Sequence, residues 1–183
     1  MNTFPNRKYE IILADPPWGY ANKSSRAAAD KHYETQDLDW IMSLPVQEIA
    51  AENCALFLWT VSPMLMEGLC TMDAWGFTFK NKAFSWVKLN PKSLTPFLGM
   101  GNYTRANTED CYLGLRGKLI RESAAVRQLV CEEELVISPR EAHSKKPDEV
   151  RKRIVDLFGD LPRIELFARQ KTEGWDSWGN EVD

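Results

Sequence analysis

Asp15-Pro16-Pro17-Trp18 is the segment of this sequence whose residue types could do chemistry in the order in which they occur. The Asp15 carboxylate accepts hydrogen bonds and donates none, and a neighbouring backbone carbonyl adds a second acceptor. Consecutive prolines fix φ and remove competing N–H donors, so the Pro16 carbonyl can be aimed at a ligand. Two acceptors so placed suit the exocyclic amine of a base such as adenine, a poor nucleophile because its lone pair is delocalised into the ring. They would hold both N–H groups and favour a tetrahedral nitrogen in the transition state. Trp18 would offer a face to a base taken out of its stack. The same residues also fit a strand stopped by proline, with a satisfied Asp and a half-buried Trp. The tetrapeptide alone leaves both readings open.

The elements around it indicate what would position such a site. Tyr9 to Ala14 is a short apolar run ending at the prolines, the pattern of a buried strand. Ala55 to Trp59, stopped by Ser62-Pro63, has the same form. Phe84 to Leu89, Cys111 to Leu115, Leu135 to Ser138 and Ile164 to Ala168 are further strand candidates. Helical spacing of Leu65, Leu69 and Met72 predicts a helix from Met64 to Trp75, stopped at Gly76. Val150, Ile154, Val155 and Phe158 predict another from Pro147 to Phe158. Strands alternating with helices predict an α/β fold with a mostly parallel central sheet and helices on both faces. In such sheets ligands bind beyond the carboxyl ends of the strands, where Asp15 to Trp18, Ser138 to Lys146 and Glu165 to Arg169 would all fall. Pro91 to Asn107 reads as an unusually long loop.

At 183 residues, 44% apolar and 27% charged, the chain is expected to form a single domain with a substantial core. It has no apolar run of membrane-spanning length, no secretory signal pattern opens it, and a cytoplasmic location is expected. Cys54, Cys70, Cys111 and Cys131 lack metal-ligand or CxxC spacing and read as free thiols, so no metal is expected. A net charge of −3 argues against a tight non-specific nucleic-acid binder. Yet Lys80 to Thr108 contains Lys80, Lys82, Lys88, Lys92 and Arg105 and no acid. With Phe97 and Tyr103, that stretch is the expected nucleic-acid contact, the alternative being a solvated surface loop.

Leu13-Ala14-Asp15-Pro16-Pro17-Trp18 resembles the signature of the adenine-N6 methyltransferase family that includes the catalytic subunit of the eukaryotic mRNA adenosine methyltransferase and many bacterial and phage DNA enzymes. The resemblance continues at Ala55 to Trp59, at Ser85-Trp86-Val87-Lys88, and from Arg140 through Pro147. It closes at Arg163 to Arg169 and at Trp175 to Asn180. Single blocks are weak, but together they run through nearly the whole chain in the family's order. The resemblance implies a Rossmann-like class I methyltransferase fold with circularly permuted motif order, which accounts for the lack of an opening glycine-rich fingerprint.

It further implies S-adenosylmethionine as cofactor and S-adenosylhomocysteine as product. Asp15, Pro16, Pro17 and Trp18 would be catalytic, Asp15 also meeting the methionine amino group of the cofactor. Lys146 would bind the cofactor carboxylate. Glu165 and Phe167 would lie on the cofactor strand, Arg169 and Thr172 near its ribose, and Asn180 and Glu181 at its adenine. Tyr33 would help hold the incoming base near Trp18, while Lys88, Tyr103 and Arg105 are the substrate contacts expected from the acid-free stretch. Ala168 stands where the family usually has Gly, and Glu181 where it often has Gln.

His32 and His143 are the only histidines, and neither is expected to be catalytic, because the amine becomes acidic only after methyl transfer. Trp59, Trp75 and Trp86 read as core. Lys146 falls at a helix N-terminus, a poor place for a cation. The expected partner is nucleic acid, DNA favoured over RNA, with monomer and homodimer both open. The rivals are an RNA adenosine methyltransferase, a cytosine-amine methyltransferase (which usually has Ser in place of Asp15), and a silent nucleic-acid-binding partner subunit.

Overall fold

The computed structural model describes residues 3–19, 36–90, 93, 95–99, 103–131 and 145–182. Among the described residues seven strands form one sheet: β1 (Tyr9–Ala14), β2 (Ala50–Thr60), β3 (Thr78–Val87), β4 (Thr108–Arg116), β5 (Leu129–Cys131), β6 (Arg163–Leu166) and β7 (Asp176–Trp178). Their spatial order is β5-β3-β4-β2-β1-β6-β7, and only β4 runs against the rest. The α-helices are α1 (Leu38–Ser43), α2 (Leu65–Ala74) and α3 (Asp148–Phe158).

β1 is central and both its faces are covered, which is why its sequence is a continuous apolar run rather than an alternating one. Ile12 and Ala14 pack with Leu56, Leu58, Ile41 of α1 and Met72 of α2. Ile11 and Leu13 pack on the other face with Phe57, Trp59 and the Val150, Ile154 and Phe158 stripe of α3. Helices therefore lie on both faces, and the mostly parallel Rossmann-like sheet is the expected one. Trp59, Trp75 and Trp86 are buried, as read from the sequence.

The path of the chain reverses its winding between β1 and β6. From β1 it passes to β2 on one side, whereas from β6 it passes to β7 on the other. β1 and β6 pair in parallel with Ala14 opposite Leu166, so Asp15 and Phe167 leave adjacent strand ends where the winding reverses. Ligands bind at such switch points because the diverging connections leave the strand ends uncovered.

Several expectations are corrected. β2, β3 and β4 are each longer than their apolar centres, and α1, β5 and β7 were not foreseen. Phe167 is not in the strand: its φ of 61° is left-handed, ending β6 at Leu166. The expected long loop carries order of its own. Leu89 bridges Pro96, the Lys88 N–H donates to the Asn107 carbonyl (2.8 Å), and that of Gly99 to Ala106 (3.0 Å). The Leu135 to Ser138 strand lies outside the described residues.

Candidate functional site

The prolines end β1 because neither can donate to the ladder. The Trp18 N–H turns back to the Pro16 carbonyl (2.8 Å), a tight turn around Pro17, and the Gln36 N–H meets the Pro17 carbonyl (3.0 Å). One lone pair of the Pro16 carbonyl is thus occupied, and a second can still accept. Trp18 is only 4% exposed, packs in the core below, and donates its indole N–H to the Trp59 carbonyl (2.9 Å). This corrects the stacking role: the ring offers no free face to a base and instead ties the tetrapeptide to the end of β2.

Asp15 is met by Lys146 from 131 positions away, with Nζ 2.7 Å from Oδ2. Lys146 immediately precedes Pro147, the N-cap of α3. Its misfit with the helix dipole is resolved by carboxylates on the opposite side. Nζ also lies 3.2 Å from Glu109 Oε2 and 5.5 Å from the centre of the Trp59 ring. Burial would lower the Lys146 pKa, but Asp15 and Glu109 outweigh it and hold the ammonium above its ordinary range. Burial likewise works against the Glu109 carboxylate, and Lys146 and Lys88 reverse that effect, leaving its pKa below the usual value.

Sequence reasoning missed Glu109. It stands just past the end of the acid-free stretch, and because β4 is antiparallel its first residues arrive at the carboxyl edge of the parallel strands. The signal was there: two acids, Glu109 and Asp110, open a strand that is otherwise apolar at Cys111 and Leu113. The same geometry corrects the expectation for Lys88, whose ammonium is bound by Glu109 at close range rather than left free for phosphate. Lys82 is likewise paired with Asp110 at 3.3 Å. Arg105 and Tyr103 are exposed, Tyr103 completely. Tyr33, Lys92, both histidines and residues 140–144 of the Arg140–Pro147 block lie outside the described residues.

Glu165 also departs from expectation. Both its oxygens accept from Arg151, at 2.7 and 2.8 Å, and Arg151 further binds Asp148 at 2.6 Å. Glu165 pairs with Leu13 across the sheet and shares its α3-facing side. The reason is direct: a carboxylate buried beneath a helix requires a cation, and the cation is on that helix. Glu165 therefore anchors α3 rather than presenting its carboxylate to a ligand.

Past the ends of β6 and β7 the chain forms a close backbone corner. The Ala168 N–H donates to the Trp178 carbonyl (3.0 Å), and a Cβ on Gly179 would stand 2.5 Å from the Ala168 carbonyl oxygen. Only glycine fits there. Phe167, half-buried, packs edge-on against Trp178 at 5.5 Å and Trp40 at 6.5 Å. Arg169 and Glu181 approach at 3.9 Å, Asn180 is exposed beside them, and the buried Thr172 hydroxyl has no hydrogen-bond partner among the described residues. Among the described residues no cluster of side chains could hold a metal ion, and no helix is long and apolar enough to cross a membrane.

The Rossmann-like sheet carries an Asp-Pro-Pro-Trp turn at its switch point with a lysine across from it, and comparison with known proteins makes the chain a methyltransferase. The chain belongs to the MT-A70 family, whose profile matches residues 9–181. It is 35% identical to the type II methyltransferase M.MunI of a Mycoplasma species, over 97% of this chain and 79% of that protein. It is 26% identical to the N6-methyladenosine RNA methyltransferase MTA1 of Pyricularia oryzae, over 48% of that protein. It is also 26% identical to the N(6)-adenosine-methyltransferase subunit METTL3 of Danio rerio, over 28% of it. The chain thus spans about four fifths of the bacterial relative but half or less of these two eukaryotic ones.

Proposed function

We propose that this methyltransferase transfers the methyl group of S-adenosylmethionine to the exocyclic N6 amine of adenine in DNA. The observation that carries this reading is the Asp15–Lys146 pair at 2.7 Å, at the switch-point end of β1. The residues present fit the cofactor. Lys146 has three N–H donors; Asp15 Oδ2 accepts one, and Glu109 Oε2 stands 3.2 Å away as an ion-pair partner, so donor capacity remains for a carboxylate. The Gly179 corner, the unpartnered Thr172 hydroxyl and the exposed Asn180 supply a backbone cradle and hydrogen-bonding groups beyond β6 and β7. Arg169 and Glu181 flank it.

When bound, the cofactor would supply an electrophilic methyl group. Asp15 and the free lone pair of the Pro16 carbonyl accept the two amine N–H groups, directing the nitrogen lone pair out of the ring plane. That methyl would pass to the nitrogen with the cofactor's thioether as neutral leaving group, and Asp15 would take up the proton that the nitrogen sheds. Positioning supplies most of the acceleration. Tyr33 is proposed to hold the incoming base, and Arg105 and Tyr103 to meet the nucleic acid.

DNA is favoured because identity is higher with the bacterial relative, 35% against 26% for the RNA-methylating MTA1, and because the sequence resembles bacterial and phage DNA enzymes. Purified protein incubated with S-adenosylmethionine and either DNA or RNA, followed by nucleoside mass spectrometry, tests this. N6-methyldeoxyadenosine is expected. Methylated adenosine from RNA alone would transfer the reading to RNA, and methylcytosine would refute the adenine assignment.

A further inference from the structure

Glu109 lies outside every role assigned above, yet its two oxygens each meet a lysine. Oε1 takes Lys88 and Oε2 stands 3.2 Å from Lys146. Asp15 is engaged differently. Lys146 meets it through Oδ2 alone, and Oδ1 has no partner among the described residues. The four groups form an alternating series, Asp15–Lys146–Glu109–Lys88, with no excess charge. The Lys146 and Glu109 side chains are each 11% exposed.

We propose that Glu109 is a positioning residue for the transfer step, drawing the Lys146 ammonium toward β4 so that Asp15 keeps one carboxylate oxygen for the target amine. This rests on the reading of Asp15 given above. An ammonium facing a single carboxylate centres on it, engages both oxygens and weakens them as acceptors. A second carboxylate on the far side divides that attraction, and the Trp59 face fences Nζ from another direction. Lys88 completes the arrangement. Without it, two carboxylates around one ammonium would leave an unbalanced negative charge at a largely buried position.

The test uses the full chain carrying Glu109→Gln or Glu109→Asp, assayed where circular dichroism shows it folded. Glu109→Gln should lower kcat at least tenfold, with the nucleic-acid KM within twofold of wild type. Glu109→Asp, which keeps the charge but retracts it by one methylene, should recover part of that loss. A glutamine variant with kcat within twofold of wild type overturns the proposal, as does a loss that follows only the folded fraction. If the glutamine variant does not fold, the aspartate variant decides: a threefold or larger fall in kcat supports the proposal and an unchanged kcat overturns it. Asp15→Ala serves as control. If it is inactive while Glu109→Gln is fully active, only the role of Glu109 fails; if it is active, the reading of Asp15 fails as well.

Discussion

The β1–β6 switch point and the β3–β4 arm both bear charged residues at the carboxyl edge of the sheet, but they were legible to very different degrees. At the carboxyl end of β1, chain-local rules reached Asp15, though not the inward turn of Trp18 or the Arg151 partner of Glu165. Proline ends β1, the apolar run marks it as central, and the strand order puts Asp15 beside the turn that begins at Phe167. In the arm, a count of charges along the sequence misled. Lys80 to Thr108 is free of acids, yet Lys82 and Lys88 are neutralised by Asp110 and Glu109, the residues just past its end. An antiparallel pair sets each residue opposite one from the returning strand. Charge balance in such a pair is therefore a property of the pair, not of the stretch.

That contrast can be broken in several places. The largest expected effect is at Glu165. If it braces α3, Glu165→Ala should destabilise the protein by roughly 3–5 kcal/mol, because one partner of a buried ion pair is left uncompensated. Chemical denaturation measures this, while cofactor affinity of the folded protein should be unchanged. Weakened cofactor binding with undiminished stability would restore Glu165 to the switch point as a ligand.

Lys146→Ala and Asn180→Ala should each weaken S-adenosylmethionine binding in calorimetry. Losing a hydrogen bond to a charged group costs about 1.5–3 kcal/mol at Lys146, and a neutral one about 0.5–1.5 kcal/mol at Asn180. Unchanged affinity in both would remove the cofactor from this edge of the sheet.

The smallest effect separates the arm's two kinds of cation. Arg105→Ala should lower the slope of log affinity for double-stranded DNA against log salt by about 0.9, as expected for one lost phosphate contact. Lys88→Ala should leave that slope in place, because its charge already belongs to Glu109. The reverse result would show that nucleic acid displaces the Lys88–Glu109 pair.

What the sequence hid has physical causes. β5 and β7 are three residues long and owe their existence to the strand beside them, so no periodicity marks them. The first half of β3, Thr78 to Asn81, is exposed and, apart from Phe79, polar, and it resembles a loop until β4 is laid against it. Trp18 looked like a platform because an aromatic residue after two prolines projects from a turn. That it projects inward, toward Trp59, depends on β2. Lys146, by contrast, was named by the family resemblance, and its misfit at a helix N-terminus finds its reason in two carboxylates.

The central claim is that Asp15 grips the amine that is methylated. Its most direct test is the rate of N6-methyldeoxyadenosine formation by wild-type and Asp15→Ala protein, read by nucleoside mass spectrometry at saturating S-adenosylmethionine. Removing one preorganised acceptor should lower that rate by on the order of 10²–10³, with circular dichroism unchanged. A folded Asp15→Ala protein methylating adenine within a fewfold of the wild-type rate would contradict the account.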